Sequence, residues 1–189
     1  MPSNINATIT NGVVISPDNS GVLQLQSNNT TIATISSSGL TMNTGSIVVA
    51  SSAAPAFSAV KTSNQSLTGG VETKVTFDTE QFDTNNNFAS SRFTPTVAGY
   101  YQLSVNLAYT NAVSGYALIA LYKNGSKIGI GTENQLTTAS YNAITASYLV
   151  YCNGSTDYVE VYTSTNNNAV VYGESLTYTY FQGFLARSA

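Results

Sequence analysis

The sequence predicts an all-β chain in which a sandwich or jelly-roll head follows a segment of very short strands. Three observations lead to this prediction. Only 8% of the 189 residues are charged, and the Ser, Thr, Asn and Gln that replace them favour sheets and turns over helices. Residues 101–109 alternate between apolar and polar positions with period two, which indicates a strand. Turn signals such as Asn124-Gly125 separate the apolar stretches.

Residues 1–54 are predicted to be a short-stranded β shaft or attachment segment. They carry one charge, Asp18, and short apolar clusters at Ile5/Ile9, Val13/Ile15, Val22-Leu23/Leu25, Ile32/Ile35, Leu40/Met42 and residues 47–49. Strands this short bury little surface within one chain. We therefore expect copies from several chains to pack their apolar faces together. A disordered, low-complexity tail is the alternative. The uncharged stretch 51–56, broken by Pro55, is the predicted junction.

Residues 55–189 are predicted to be the head. The pattern in 101–109 puts Tyr101, Leu103, Val105, Leu107 and Tyr109 on one side of a strand. Further strands are predicted at 117–122, 126–130, 143–151, 158–163 and 176–185. This many strands in one domain predicts a sandwich or a jelly roll.

Several stretches of the head match one known family. They are residues 55–59, the aromatic and acidic positions Phe77, Asp83 and Phe88, residues 93–101, the hairpin 121–125 and the final strand 181–185. In these residues the chain resembles the C1q domain, the trimeric jelly roll related to tumour necrosis factor. The resemblance implies a homotrimeric C1q-like head. Two glycines have expected roles: Gly99 in a tight turn with positive φ, and Gly183 where another backbone or ring approaches closely.

The first segment has a resemblance of its own. Residues 11–15, 21–26, 31–35 and 39–42 are similar to the repetitive shaft or adaptor segments of bacteriophage tail-fibre and virion proteins. Together with a C1q-like head, this implies a trimeric fibre or capsid decoration protein on the virion surface, bound to other virion proteins through residues 1–54. The first residues lack the features of a secretory signal, which fits a protein made in the host cytoplasm. A cellular C1q-like or lectin-like recognition module is the alternative function.

The composition argues against several other functions. The chain has no histidine, which removes serine and cysteine triads and most zinc sites, so we expect no enzyme. None of the six basic residues precedes Lys61, and without a basic stripe nucleic-acid binding is not expected. No apolar stretch reaches the length of a membrane span. The single cysteine, Cys152, is expected in the core.

The acidic residues supply one candidate metal site. Asp78, Glu80 and Asp83 lie within six residues, and carboxylates at this spacing can supply oxygen ligands to calcium. The resemblance favours the idea, because some C1q-like domains bind calcium. A solvated acidic loop is the alternative, and no other cofactor is expected.

Two sets of residues are predicted to make contacts. In the final strand Tyr178, Tyr180 and Phe184 alternate with Phe181 and Leu185, and because one core cannot bury both sides, one side should meet a neighbouring subunit. Tyr101 and Leu103 join this interface or core set. Tyr and Asn form adaptable recognition surfaces, so a host receptor or glycan is expected to contact the predicted loops 111–115, 132–141 and 164–168 and nearby tyrosines. This second set is Tyr116, Tyr141, Asn166, Asn167 and Tyr172. Plain solvent-facing loops are the alternative.

Overall fold

The structure is a computed structural model, and it describes residues 22–27, 30–42, 54–110, 115–137, 141–174 and 178–189. These residues form strands, turns and loops, which confirms the all-β prediction. Within this described part, no helix is long and apolar enough to span a membrane. The chain divides into two compact units, Met1–Ser51 and Ser52–Ala189.

The first unit contains a three-stranded antiparallel meander. Its strands are β1 (Leu23–Ser27), β2 (Thr30–Ser36) and β3 (Gly39–Met42), in the order β1-β2-β3. The predicted turn before Gly39 is present, and Gly39 takes a φ of 113°, a conformation that glycine adopts without a steric cost. The predicted clusters at Ile5/Ile9, Val13/Ile15 and 47–49 lie outside the described residues. Whether residues 1–54 act as a shaft stays a prediction.

The second unit contains thirteen described strands in two sheets. They are β4 (Ala56–Val60), β5 (Gln65–Leu67), β6 (Thr73–Lys74), β7 (Thr79–Asp83), β8 (Phe88–Ala89), β9 (Arg92–Phe93), β10 (Ala98–Thr110), β11 (Gly115–Lys123), β12 (Ser126–Leu136), β13 (Asn142–Asn153), β14 (Val159–Thr165), β15 (Ala169–Val171) and β16 (Tyr180–Ser188). The first sheet runs β5-β15-β10-β16-β4-β7, with β13 on the other edge of β10. The second runs β12-β11-β14-β9-β8, with β6 beside β14.

The core lies between the two sheets, and β10 contributes its full length to it. All five residues predicted to share one side of this strand are completely buried: Tyr101, Leu103, Val105, Leu107 and Tyr109. From the neighbouring strands, the Phe57 ring stacks on Phe93 at 4.3 Å and meets the edge of Phe181 at 4.9 Å. Offset and edge-to-face aromatic pairs add to the stability gained from burial. Cys152 is also buried, as predicted, and burial raises its pKa to about 11.

The predicted hairpin at Asn124-Gly125 joins β11 to β12. Both residues have positive φ, 53° and 77°, and two positive φ values at the central positions define a type I′ turn. The strand predicted at 126–130 is longer in the structure, where β12 continues to Leu136. The predicted loop 132–141 is therefore wrong for residues 132–136, where Ile119 and Thr132 still pair across the two strands.

The two glycines both fill crowded positions. Gly99 lies inside β10 and not in a turn with positive φ, so that expectation was wrong. A Cβ there would come within 2.4 Å of the Arg187 carbonyl oxygen. At Gly183 the expected close approach is confirmed, since a Cβ would lie 2.4 Å from Leu103 Cδ2 and 3.1 Å from Phe57 Cε1. Both positions need a residue without a side chain.

Candidate functional site

The outward surfaces of the two sheets of the head differ in charge. On the second sheet, Glu160 Oε1 accepts hydrogen bonds from Lys74 Nζ at 2.7 Å and Arg92 Nε at 2.9 Å. Nearby, Lys127 Nζ lies 2.8 Å from Glu72 Oε2. This part of the surface is therefore a network of ion pairs, and it is well suited to contact with water.

The outward surface of the first sheet is uncharged over three rows of residues across β13, β10 and β16. We call this surface the assembly face. The backbone registers define its rows: Leu149–Gln102–Phe184, Ser147–Ser104–Gln182 and Thr145–Asn106–Tyr180. Leu149 is 64% exposed and Phe184 53%. Large apolar side chains exposed together indicate a contact surface.

Polar groups on the assembly face bond to each other within one subunit. Gln102 Nε2 donates to Ser147 Oγ at 2.7 Å, and Thr145 Oγ1 donates to Asn106 Oδ1 at 2.6 Å. Asn106 Nδ2 donates in turn to the Tyr178 carbonyl oxygen. Covering these groups with a neighbour therefore leaves fewer polar atoms without a partner, which lowers the cost of burial.

A groove and a ridge on the same subunit both expose large apolar side chains. The groove, of about 280 Å³, lies between Phe82 and Phe184, and Gln102, Ser104, Gln182 and Gly183 line it. The ridge is on β12, which ends the order of the second sheet. There Ile128 and Ile130 are 47% and 53% exposed.

The residues predicted for the interface or core separate into two groups. Tyr101, Leu103 and Phe181 are completely buried inside one subunit, so these three belong to the core part of the predicted set. Tyr180 and Phe184 point outward on the assembly face, and Tyr178 is also exposed. Alternation along β16 explains the division, since successive side chains of a strand point to opposite sides. The sequence argument missed Leu149, Phe82 and the β12 ridge.

Three tyrosines that belonged to different predicted sets form one cluster. We call Tyr141, Tyr172 and Tyr178 the tyrosine cluster. The Tyr141 and Tyr172 ring centroids lie 5.1 Å apart, and Tyr178 lies 5.9 Å from Tyr141 and 5.7 Å from Tyr172. Burial, followed by the hydrogen bond with Tyr141, raises the pKa of Tyr172.

The backbone that carries the tyrosine cluster is firmly held. Thr179 is completely buried, and its hydroxyl donates to the Tyr172 carbonyl oxygen at 2.6 Å and accepts from the Ala108 amide at 3.2 Å. The cluster lies at the end of the sheet where β16 begins, and Tyr180 pairs there with Val60. Phe184 pairs with Ala56 at the other end, where β4 begins.

The remaining predicted recognition residues form a second patch. Tyr116 is the second residue of β11, at the strand end next to the predicted loop 111–115. Its backbone amide donates to Asn166 Oδ1 at 3.1 Å, and the Asn166 amide donates back to the Tyr116 carbonyl oxygen at 3.0 Å. Asn167 accepts a bond from Thr165 Oγ1 through its carbonyl oxygen. Loop residues 111–114 lie outside the described residues.

The predicted calcium ligands do not come together. Asp78 precedes β7 and Asp83 ends it, which places them roughly 16 Å apart along the strand, with Glu80 between them. Asp78 accepts bonds from the Thr62 amide and hydroxyl and the Ser63 amide, and Asp83 from the Asn85 and Phe88 amides. Nowhere in the described ranges do three His, Cys, Asp or Glu side chains converge as a metal site. Asp78 and Asp83 instead hold loops in place.

Comparison with known proteins gives one family and a set of similar folds. The family model of the C1q domain matches residues 56–186. The globular domain of zebrafish complement 1qA superposes with a TM-score of 0.53 at 16% identity, covering 71% of this chain and 99% of that one. Murine APRIL gives 0.52 at 10% identity, covering 70% and 98%. Eiger TNF from S. frugiperda gives 0.52 at 7% identity, covering 72% and 94%. No curated protein sequence gives a significant match.

The identities to these solved structures are low, and they show a shared jelly-roll fold. C1q and TNF-like domains commonly form homotrimers and are typically non-enzymatic recognition modules. The family model covers more than half of the sequence, and it spans the described strands of both head sheets apart from the last two residues of β16. The chain belongs to the C1q domain family.

Proposed function

We propose that this chain is a non-enzymatic homotrimeric structural protein of a virion surface, a fibre or decoration protein that displays a C1q head for host recognition. The assembly face is the observation that carries the proposal. An uncharged surface with Leu149 and Phe184 exposed is costly in a free subunit, whereas in a trimer a neighbour covers it.

The groove and the ridge support a contact between different surfaces of neighbouring subunits. In this arrangement the Ile128/Ile130 ridge of one copy enters the Phe82/Phe184 groove of the next. Such a head-to-tail contact closes into a ring when the rotation between copies allows it. Burying a large apolar side chain contributes about 1.5–3 kcal/mol. The four residues of the contact are already about half buried in a free subunit, so together they supply roughly 3–6 kcal/mol before association costs.

The virion role rests on the pairing of the two units. Residues 1–54 have the short-stranded, almost uncharged pattern of fibre shaft and adaptor segments, and we propose that they bind other virion proteins. A cellular C1q-like recognition module is the alternative. It would have the same head but would not be attached to a virus particle. Gold-labelled antibody against the head, applied to particles purified from a producing culture, tests this role. Label on the particle surface supports it, and label only on free protein contradicts it.

The tyrosine cluster is the recognition surface that we propose. It lies at the end of the sheet opposite to the start of β4. Because the chain enters the head at β4, the cluster is at the far end of the sheet from that entry point. The rings are too close together, at 5.1–5.9 Å between centroids, to enclose a cation between them. They instead offer an exposed aromatic platform, with hydroxyl groups, for the flat face of a neutral sugar.

A further inference from the structure

The sheet formed by β1, β2 and β3 has an apolar side. The backbone register pairs Leu23 with Ile35 and Leu25 with Ala33, and directly opposed residues of an antiparallel pair lie on the same side of a sheet. Ala33 is buried, whereas Leu25 is 42% exposed and Ile35 43%. Two large apolar residues of this small sheet therefore lie half open to water.

The other side of the sheet is polar and bonds to itself. Gln26 Nε2 donates to Gln24 Oε1 at 3.1 Å, and Thr31 Oγ1 donates to the same oxygen at 3.3 Å. A register shift between Leu25 and Gln26 brings Thr31 opposite Gln26. These side chains satisfy each other within one copy. The apolar side is the one that gains by meeting a partner.

We infer that the apolar side of this sheet, around Leu25 and Ile35, packs against the same side in the other two copies of the homotrimer. The inference rests on the proposed homotrimer. Charge supports it, because the sequence has no charged residue between Asp18 and Lys61. Identical surfaces therefore meet without repulsion between like charges, which would otherwise oppose self-association.

Association of the heads means that even a weak attraction between these sheets is sufficient for them to pack together. Residues 43–53 connect the sheet to the head unit, and a stretch of this length spans at most roughly 40 Å. Once three heads associate, the three sheets share a small volume at an effective concentration on the order of millimolar. Strands of four to seven residues, marginal when isolated, can then stabilise each other.

Cysteine cross-linking of the full chain tests this inference. Ile35→Cys and Leu25→Cys place a thiol on the apolar side, and Thr34→Cys and Gln24→Cys are matched controls one residue away on the polar side. The native Cys152 is completely buried, so it contributes little background. With a short bis-maleimide we expect at least fivefold more covalent dimer from Ile35→Cys and Leu25→Cys than from the controls, measured on denaturing gels.

Sedimentation of each variant separates this inference from the proposed function. Equal cross-linking at the four positions, or none at Ile35 and Leu25, in a chain that sediments as a trimer overturns the inference and leaves the head trimer standing. A chain that sediments as a monomer overturns both. As a second measurement, Ile35→Ser should keep the trimer and speed proteolytic cleavage within residues 22–42 severalfold. Unchanged cleavage also counts against the inference.

Discussion

At the scale of single residues, close packing limits which side chains the head accepts. Gly183 illustrates the limit, since a Cβ would lie 2.4 Å from Leu103 Cδ2 and 2.9 Å from the Gln102 carbonyl oxygen. Gly129 offers a contrast in another strand, where a Cβ would meet nothing nearer than Tyr148 Cε1 at 3.9 Å. The first position is crowded and the second is open.

We predict that Gly183→Ala lowers the free energy of unfolding by about 1–3 kcal/mol, because the new methyl group overpacks the core. Gly129→Ala is the control, and it should be neutral within about 0.5 kcal/mol. Denaturant unfolding at one fixed protein concentration measures both variants. A Gly183→Ala variant as stable as the parent would show that the strand pair shifts easily to make room.

Glu160 controls stability at low pH. Burial alone would raise the pKa of Glu160, but the hydrogen bonds from Lys74 and Arg92 outweigh it and hold the pKa below its usual value. The unfolded state therefore binds the proton first as the pH falls. The stabilisation is complete above about pH 5 and is lost as the pH falls from the unfolded pKa, about 4.3, through the folded pKa.

We predict that Glu160→Gln costs about 1.5–3 kcal/mol at pH 7, since it removes the negative charge that strengthens the hydrogen bonds from Lys74 and Arg92. The variant should also lose less stability than the parent between pH 5 and 3. Glu133→Gln, at an exposed position on β12, is the control. Thermal unfolding across this pH range measures the effect. If the stability of Glu160→Gln falls with decreasing pH as steeply as that of the parent, this carboxylate does not cause the loss of stability in acid.

At the scale of elements, the sequence predicted most of the long strands well, although β12 runs six residues beyond its predicted end. Residues 101–109 show period two over enough positions to define the buried side of β10, and Asn124-Gly125 predicted the turn type of its hairpin. Strands of two or three residues, such as β6 and β9, escaped prediction because a period is invisible over so few positions. Their pairing with β14 is decided by tertiary packing.

The candidate surfaces were less predictable for a different reason. Leu149, Gln102 and Phe184 form one row because β13, β10 and β16 pair in a particular register, and no local pattern contains this register. In a single sequence an outward Leu149 is indistinguishable from a core leucine. The tyrosine cluster likewise unites residues that precede β13, follow β15 and precede β16. Only the fold brings these three positions together.

The tyrosine cluster gives a prediction at the same scale. We expect Tyr141→Ala combined with Tyr178→Ala to reduce binding to a neutral glycan at least tenfold, because stacking area is lost, while sedimentation stays unchanged. Tyr116→Ala, in the separate patch on β11, is the control. An array of neutral and acidic glycans probed with the full chain measures binding. If the double variant dissociates the trimer instead, the cluster belongs to the interface and not to a glycan site.

At the scale of the whole molecule, charge is divided between two surfaces of one head. The second sheet presents ion pairs to water around Glu160 and Glu72, and the first presents an uncharged face with exposed Leu149 and Phe184. Such a division is costly for an isolated subunit and favourable in an assembly that covers one face. The C1q family assignment and the distribution of charge therefore support the same oligomeric arrangement.

We predict that Phe184→Asp converts the proposed trimer into monomers or aggregates, because it places an unpaired charge in an apolar contact. The change should weaken association at least a hundredfold. Tyr116→Asp is the control, since it adds the same charge at a residue that is similarly exposed but lies on the other sheet. Size-exclusion chromatography with light scattering measures both. Dissociation by Tyr116→Asp alone would place the interface around the start of β11 and not at the assembly face.

Sedimentation equilibrium of the unmodified chain at micromolar concentrations tests the central claim most directly. A mass three times that of the 19.9 kDa chain, stable on dilution, is the predicted result, because each subunit covers the apolar face of the next. A folded species of single-chain mass, with Leu149 and Phe184 still open to solvent, would contradict it.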